Sequence, residues 1–538
     1  MKKIITLVGC LGMLLTSCSD YLEEENLSNA TAESFYLTET GFENLVNANY
    51  SQLREIYGDD AFMFCSGTDL YAEGRTEEPP GLSQYTQLNP SSTGVDLIYN
   101  RAYKAIQTAN TALYYSDLTE QVATVPTRVG EIKYLRANAY FLLVQTYGGV
   151  GLVTEFIDSP VLEFDRNSAE EVYAIIISDL NDALGAVSTG SFEGRVTRRA
   201  VQHLLAKVYL TRAYESFGTA ADFATAADFA DAAIGGQDLN LTFEELWTPG
   251  NDLNEEVLFS VQYASSSVSA NPTELGNKQA GYFGPYLGGS EVAGDAPYRT
   301  YNLLPTEFAL RLFTEEDDRW DATFMDEVFG RYFDYYDVGA DADLPVRDFY
   351  APQWFTEADS LDYVTNTPLT DDFQYHAFDE IYAQVVSSDY QTIPVKKFDD
   401  PSAPFGEKTS TRDIILSRLG ETYLIAAEAY LQAGDPATAM ARLNVVRNRA
   451  NATPATLADL DIDYILDERA RELLGEYHRW FDLKRTGTLV RRASLYNNNI
   501  QEANFNGAGG ELKILRPIPQ RALDLNLNND FPQNPAYN

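Results

Sequence analysis

Apolar residues recur at intervals of three and four along both ends of this chain and lose that rhythm in its middle. Between 131 and 147, the string EIKYLRANAYFLLVQTY puts Ile132, Leu135, Ala139, Leu142 and Leu143 on one side of a helix. That is the spacing of an element that packs one stripe into a core. Gly148-Gly149 ends it. The stretch 96–114 keeps the same rhythm through Leu97, Tyr99, Ala102, Ile106 and Ala109. Ser168 followed by Glu171 predicts a capping box, in which each side chain bonds the other's backbone N–H. Val172, Ile175, Ile176, Leu180 and Leu184 continue as one stripe behind it. A further helix is predicted from about Thr197 through Val201, Leu204, Leu205 and Val208, and an alanine-rich one over 221–234, where small side chains permit close packing.

At the other end, residues 412–450 hold one clear repeat unit: Ala427-x2-Tyr430-x3-Gly434-x4-Ala439-x3-Leu443. Asp435-Pro436 supplies an N-cap and a proline at the first helical position. The spacing is similar to a tetratricopeptide repeat, and Ala206-x2-Tyr209-x3-Ala213 echoes it weakly. One such unit buries its faces only on neighbours. The helices of 96–234 are the available neighbours, so the two ends of the chain are expected to share one solenoid. The region 241–405 is rich in Tyr, Phe, Gly and Pro without helical periodicity. The predicted fold is therefore mainly α, a tetratricopeptide-like α-α superhelix supporting an irregular, aromatic-rich lobe with little β. Its expected divisions are a leader over 1–17, a helical region over 18–240, and a C-terminal region over 241–538 whose first part, to about 405, is the ligand lobe.

The leader is read from its own pattern. Lys2 and Lys3 precede the apolar run Ile4 to Leu15, a signal-peptide core too short to span a bilayer. It ends Leu15-Thr16-Ser17-Cys18, which resembles the lipobox of bacterial lipoproteins and implies cleavage before Cys18 and acylation of that residue. The acyl chains would exceed the two anchoring signals that stable membrane attachment needs. Ser19-Asp20-Tyr21-Leu22-Glu23-Glu24-Glu25 then looks like the acidic export signal of Bacteroidota surface lipoproteins. The expected address is the outer membrane, facing the exterior.

Charge narrows the partners. The chain has 39 Lys and Arg against 80 Asp and Glu, a net charge of −41. Nucleic acid, whose phosphates want cations, is excluded, and the charge favours solubility. Cys10 leaves with the leader and Cys18 carries lipid, which leaves Cys65 alone and predicts no disulfide. Three histidines stand far apart at 203, 376 and 478, so no His-rich metal site and no cofactor are expected.

Several strings carry a family resemblance. ERARELLGEYHRWFDLKRTG at 468–487 and the closing LRPIPQRALDLNLNNDFPQNPAYN closely resemble the C-terminal signatures of the SusD/RagB family. LRANAYFLLVQTYGGVGLV, EEVYAIIISDLNDAL and GRVTRRAVQHLLAKVYL agree with it nearer the N-terminus; Gly151 stands where the family more often has Pro. The resemblance implies four tetratricopeptide-like units, a surface lipoprotein, and capture of nutrients for a partner SusC-like TonB-dependent transporter. Physically, Glu468, Arg469, Glu472, Glu476, Arg479, Asp482 and Arg485 alternate charge at helical spacing, which predicts an ion-pair network rather than an acid/base pair. Trp480 and Phe481 inside that string are expected in the core, as are Trp247 and Trp320. Asp459-x-Asp461-x-Asp463 and Asp524-x-Asn526-x-Asn528 imitate calcium loops but lack the turn glycine and the closing Glu, so both are predicted to be helix-entry and turn residues.

A sugar ring offers an apolar face and a rim of hydroxyls, which flat aromatics and polar side chains match. The lobe's candidates are Tyr282, Phe283, Tyr286, Tyr298, Tyr301, Tyr332, Phe333, Tyr335, Tyr336, Tyr350, Trp354 and Phe355, of which about three are expected to face ligand, most of the others packing the lobe. Trp354, beside Pro352 and free of periodicity, is the best single platform. Tyr286 and Tyr298 join it as ligand-binding candidates. By the resemblance, the loop at 66–94 also meets ligand, and Asp69, Arg75, Tyr85 and Asn89 are its matching residues. The loop lacks tryptophan, which argues against starch itself. Three functions follow: glycan capture without catalysis, peptide capture through a more polar groove, and a helical glycoside hydrolase. The last would need two carboxylates about 5–9.5 Å apart across a cleft, and the sequence offers no nucleophile elbow, phosphate loop or metal motif.

Overall fold

The computed structural model describes residues 32–74, 80–264, 276–285, 297, 299, 302–337, 344–382, 392–403 and 409–538. Helices α1 (Glu39–Tyr57), α2 (Leu97–Ser116), α3 (Val125–Tyr147), α4 (Ala169–Ala186), α5 (Arg198–Ala213) and α6 (Ala220–Ile234) pack each against the next. The chain then makes a long excursion and returns with α7 (Leu419–Gln432) and α8 (Pro436–Arg449). Helix α7 lies against α6, so the row continues across the excursion as if uninterrupted. Ala226, Ala230 and Ile234 of α6 share one core with Tyr423, Ile425 and Leu443 of the returning helices. This is the shared solenoid that the repeat spacing required, because neither end could bury its apolar face alone.

The caps are as the sequence specifies. Ser168 and Glu171 form the reciprocal box at the start of α4. Asp435 accepts from the Thr438 N–H with Pro436 in the first turn of α8. Gly434 before it has φ +88°, a left-handed turn that a side chain would strain. Helix α3 starts earlier than its periodicity showed, with a proline in its first turn, and is buried on almost every side over its second half. Each fully buried Leu or Ile there stabilises the fold by about 1.5–3 kcal/mol. Cys65 is a buried free thiol.

The excursion and the segment between α1 and α2 carry short strands. β1 (Tyr71–Ala72) pairs antiparallel with β3 (Leu304–Pro305), and β2 (Val257–Val261) pairs antiparallel with β7 (Ile414–Arg418). β4 (Glu327–Phe329), β5 (Val346–Tyr350) and β6 (Leu369–His376) form a small mixed sheet. The β2–β7 ladder brings both ends of the excursion back to the solenoid at one place.

Charge, as much as apolar contact, fastens the lobe down. The string 468–485 is not one helix. α9 (Ile462–Glu472) and α10 (Arg479–Arg485) are separated by Gly475 (φ 80°) and Tyr477 (φ 66°). Its acids therefore pair mostly across the fold rather than along one helix. Glu468 meets Arg319 of the lobe at 2.8 Å and Arg447 of α8 at 2.5 Å. Glu472 meets Arg319 at 3.1 Å and Arg418 of β7 at 2.6 Å, and pairs with Arg449. Glu476 receives Arg418 and, at 2.6 Å, Lys397. Lys397 is fully buried, donates also to the Glu472 and Leu474 carbonyls, and lies 4.5 Å from the Trp247 ring centre. Burial would push the Glu468 and Glu472 carboxyls up, but the surrounding arginines outweigh it: Glu468 is held at about 2 and Glu472 well below the usual range. Trp247, Trp320, Trp480 and Phe481 are all core residues.

Candidate ligand-binding site

The two stretches singled out for ligand contact are tied side by side by the β1–β3 ladder. The chain leaves that ladder at Glu73-Gly74 on one strand and enters it at Asn302-Leu303 on the other. Phe283 bridges Leu303 alongside. Helices from the far end of the chain hold this frame. Asn497 donates 2.7 Å bonds to the Thr68 and Tyr71 carbonyls, and the Thr306 hydroxyl donates to the Asp69 carbonyl at 2.7 Å.

Asp69 and Tyr85 belong to that frame and are not open to ligand. The Asp69 carboxylate is fully buried. It takes a two-pronged bond from Arg479 at 2.7 and 2.6 Å and a third from Arg492 of α11 (Leu489–Tyr496) at 3.0 Å. Against the cost of burial, those two guanidinium groups pull its pKa down. Tyr85, in a left-handed turn, is also fully buried. Its hydroxyl donates to the Gly67 carbonyl at 2.9 Å and accepts from the Trp480 indole at 3.2 Å. Asn89 is exposed; its amide closes its own turn, donating to the Gln87 carbonyl and accepting from the Ser91 N–H, each at 2.8 Å. Cys18, Arg75, Tyr286 and Tyr298 lie outside the described residues, as does Tyr301.

The aromatic lobe has a centre that the sequence did not single out. Tyr332 and Tyr336 both donate to one oxygen of Asp399, at 2.5 and 2.7 Å, and Arg299 pairs with the other. Burial raises both tyrosine pKa values, and the Asp399 charge raises them further, so both hydroxyls stay protonated donors. Lys396 donates to the Tyr335 hydroxyl at 2.5 Å and stands 4.0 Å from that ring's centre. Gly284 passes close to Arg299 and the Pro394-Val395 backbone with φ +101°, a conformation that a side chain would strain. Tyr282, Phe283, Tyr332 and Tyr350 are buried; Phe333, Tyr335, Tyr336, Trp354 and Phe355 are half-buried. None of these described rings is fully exposed; Asp399 and Lys396 hold the Tyr332, Tyr336 and Tyr335 hydroxyls inward. Trp354 packs edge-to-face on Trp320, 5.3 Å between centres, and leaves part of its surface at the lobe's outside. The only sequence signal for Asp399 and Lys396 is the Lys-Lys-Phe-Asp-Asp run at 396–400 in an otherwise acidic region.

The calcium-like strings resolve as structure. Asp461 caps α9, Asp459 closes the turn at Thr456, and Asp463 pairs with Arg491 and Arg492. Asn526 and Asn528 bond the Phe164 backbone. Among the described residues no group of three His, Cys, Asp or Glu is placed to hold a metal, and no helix is long and apolar enough to cross a membrane. A groove of about 400 Å³ also opens between α2 and the 153–164 segment, floored by Tyr103, Ile106 and Phe164.

The architecture is a helical-repeat scaffold with a loop-rich, aromatic lobe inserted between its sixth and seventh helices. Comparison with known proteins gives it a family. Residues 255–537, more than half of the chain, match the SusD family, and residues 20–210 match a family described as starch-binding associating with outer membrane. The chain belongs to the SusD family. A SusD-like protein of Formosa agariphila is 24% identical over 537 residues, covering 95% of this chain and 94% of that protein. The starch-binding protein SusD of Bacteroides thetaiotaomicron is 26% identical over 498 residues, covering 87% and 83%. Among solved structures, a laminarin-binding SusD-like protein superposes with a TM-score of 0.66 at 24% identity, over 93% of this chain and all of that one. NanU of B. fragilis does so with a TM-score of 0.69 at 19% identity, over 95% of this chain and 100% of that one. The mainly α architecture is thus that of the family.

Proposed function

We propose that this protein captures glycans at the cell surface without cleaving them and passes them to a TonB-dependent outer-membrane transporter. The observation that carries the reading is the lobe itself: a cluster of half-buried rings, with hydroxyls gathered on Asp399, on the scaffold of a family whose relatives are named for starch and laminarin. Such rings match the C–H faces of sugars, and the carboxylates and amides around them match the hydroxyl rim. Trp354 is the proposed platform, and Arg75 and Asn89 of the 66–94 loop, with Tyr286 and Tyr298, are the other proposed contacts. Purified protein titrated against a glycan panel should bind at least one member and leave its chain length unchanged. Trp354→Ala should lower that affinity severalfold, in line with about 1 kcal/mol for one aromatic contact. It should also lower the thermal midpoint modestly, because Trp320 loses one of its ring contacts, keeping Phe313 and Phe324. Affinity that survives the substitution moves the site to the 66–94 loop. Shortened glycan chains, persisting through purification, mean an enzyme; binding of peptides alone means a peptide receptor.

The anchoring half of the proposal rests on the lipobox-like end of the leader. Cys18→Ala should shift the protein from the membrane pellet to the soluble fraction, or leave it as an uncleaved precursor. Surface-exposed, membrane-bound Cys18→Ala protein is the result that removes the lipid from the account.

A further inference from the structure

We infer that the lobe takes uncharged glycans and turns away those bearing carboxylate or sulfate groups. The inference rests on the glycan-capture reading above and sharpens it. Recognition of an acidic sugar needs an arginine or lysine with bonds to spare, because a carboxylate or sulfate leaves water only for charge-assisted partners.

Region 241–405 contains 8 Lys and Arg against 31 Asp and Glu. All eight cations fall among the described residues, and each is already engaged. Three are buried: Arg299 on Asp399, Arg319 on Asp317, Glu468 and Glu472, and Lys397 on Glu476. On the outside, Arg311 pairs with Glu307 at 2.6 Å, Arg331 with Asp334 at 3.2 Å and Arg347 with Asp348 at 2.7 Å. Lys278 pairs with Asp59. Lys396 is bonded to Tyr335, and its charge acts on Asp321 and Asp326. Even with that lysine near, burial followed by the neighbouring Asp321 pushes the Asp326 carboxyl up to about 6. In the 66–94 loop Arg75 is the one basic residue, set in sequence between Glu73 and the pair Glu77-Glu78.

A polyanion approaching this face meets unbalanced negative charge that acts over about 8 Å at physiological salt. To bind, it would also have to compete with the carboxylate, or for Lys396 the Tyr335 hydroxyl, that each of these cations already holds. A neutral sugar meets neither obstacle. Its hydroxyls donate to the same carboxylates, which are acceptors only, while its ring face lies on an aromatic.

The test is calorimetric titration of the full mature protein at about 20 and about 500 mM NaCl, conditions that respectively expose and screen surface charge. The uncharged probes are laminarin, dextran and galactomannan; the acidic ones are polygalacturonate, alginate and dextran sulfate, with a sulfated derivative of whichever neutral polymer binds. The expected result is a neutral ligand whose affinity changes less than about twofold with salt, and a sulfated derivative weaker by about tenfold or more at low salt, since its charges are then unscreened. An acidic polymer that binds as tightly as the best neutral one overturns the inference and leaves glycan capture standing. Binding of peptides and of no glycan instead sinks the capture reading, and this inference with it.

Discussion

Replacing Glu472 by alanine is expected to destabilise the protein by about 3–5 kcal/mol, the usual consequence of removing one partner from a buried ion cluster. Its carboxylate is fully buried and shared by Arg319, Arg418 and Arg449, which come from the lobe, from β7 and from α8. Without it three buried guanidinium groups share one carboxylate fewer, Arg319 keeping Asp317 and Glu468, Arg418 keeping Glu476 and Arg449 keeping Glu256. Glu472→Gln should recover part of the loss, because an amide still accepts hydrogen bonds. The same cluster sets an acid limit. Glu468 and Asp482 are held at about 2 in the fold despite their burial, Glu468 by Arg319, Arg471 and Arg447, and Asp482 by Arg469 and Arg485. Unfolded, they titrate near the ordinary carboxylate range, so their contribution is complete above about pH 5 and drains away as pH falls toward about 2. Denaturant midpoints measured at neutral pH and at about pH 4 should show the Glu472→Ala deficit shrinking on the acid side. A variant as stable as the parent, but unable to bind glycan, would turn this cluster into a ligand site.

Asp69→Ala is the second large effect. Arg479 and Arg492 grip this one carboxylate from two different helices, and it sits between them and the β1–β3 ladder. The loss should again be about 3–5 kcal/mol, with glycan affinity of the folded fraction falling only as far as the ladder loosens. Asp69→Asn keeps the shape and removes the charge, so it should fall in between. If instead stability holds and affinity collapses, Asp69 is the ligand residue that the loop's resemblance implied.

These two residues also show which parts of the structure can be read from sequence. The helices could be, because a stripe at 3.6 spacing, the Ser168–Glu171 box and the Asp435-Pro436 cap are written within a few residues of where they act. The ion network could be foreseen in kind but not in partners. Alternating charge suggests pairing along a helix, whereas Gly475 and Tyr477 break that helix, and Glu468 and Glu472 meet on Arg319, 149 and 153 positions away. The rings were legible as a population and not as individuals. Whether a tyrosine faces ligand or core is decided by one distant acceptor, as Asp399 decides for Tyr332 and Tyr336. Asp69 looked like a polar loop residue until Arg479, 410 positions later, closed on it.

The row of helices has a consequence for the order in which the molecule can be made. Its first six members come from the start of the chain, yet the apolar side of α6 stays uncovered until α7 is available, nearly two hundred residues later. A polypeptide growing from its N-terminus therefore carries an unfinished surface through most of its synthesis. Closing so long a loop is entropically costly and slow compared with pairing neighbours. Docking of the chain's end onto its beginning completes that surface, and the same segment brings α9, whose glutamates hold Arg319 of the lobe. Until then the growing chain is a natural client for factors that hold nascent proteins unfolded.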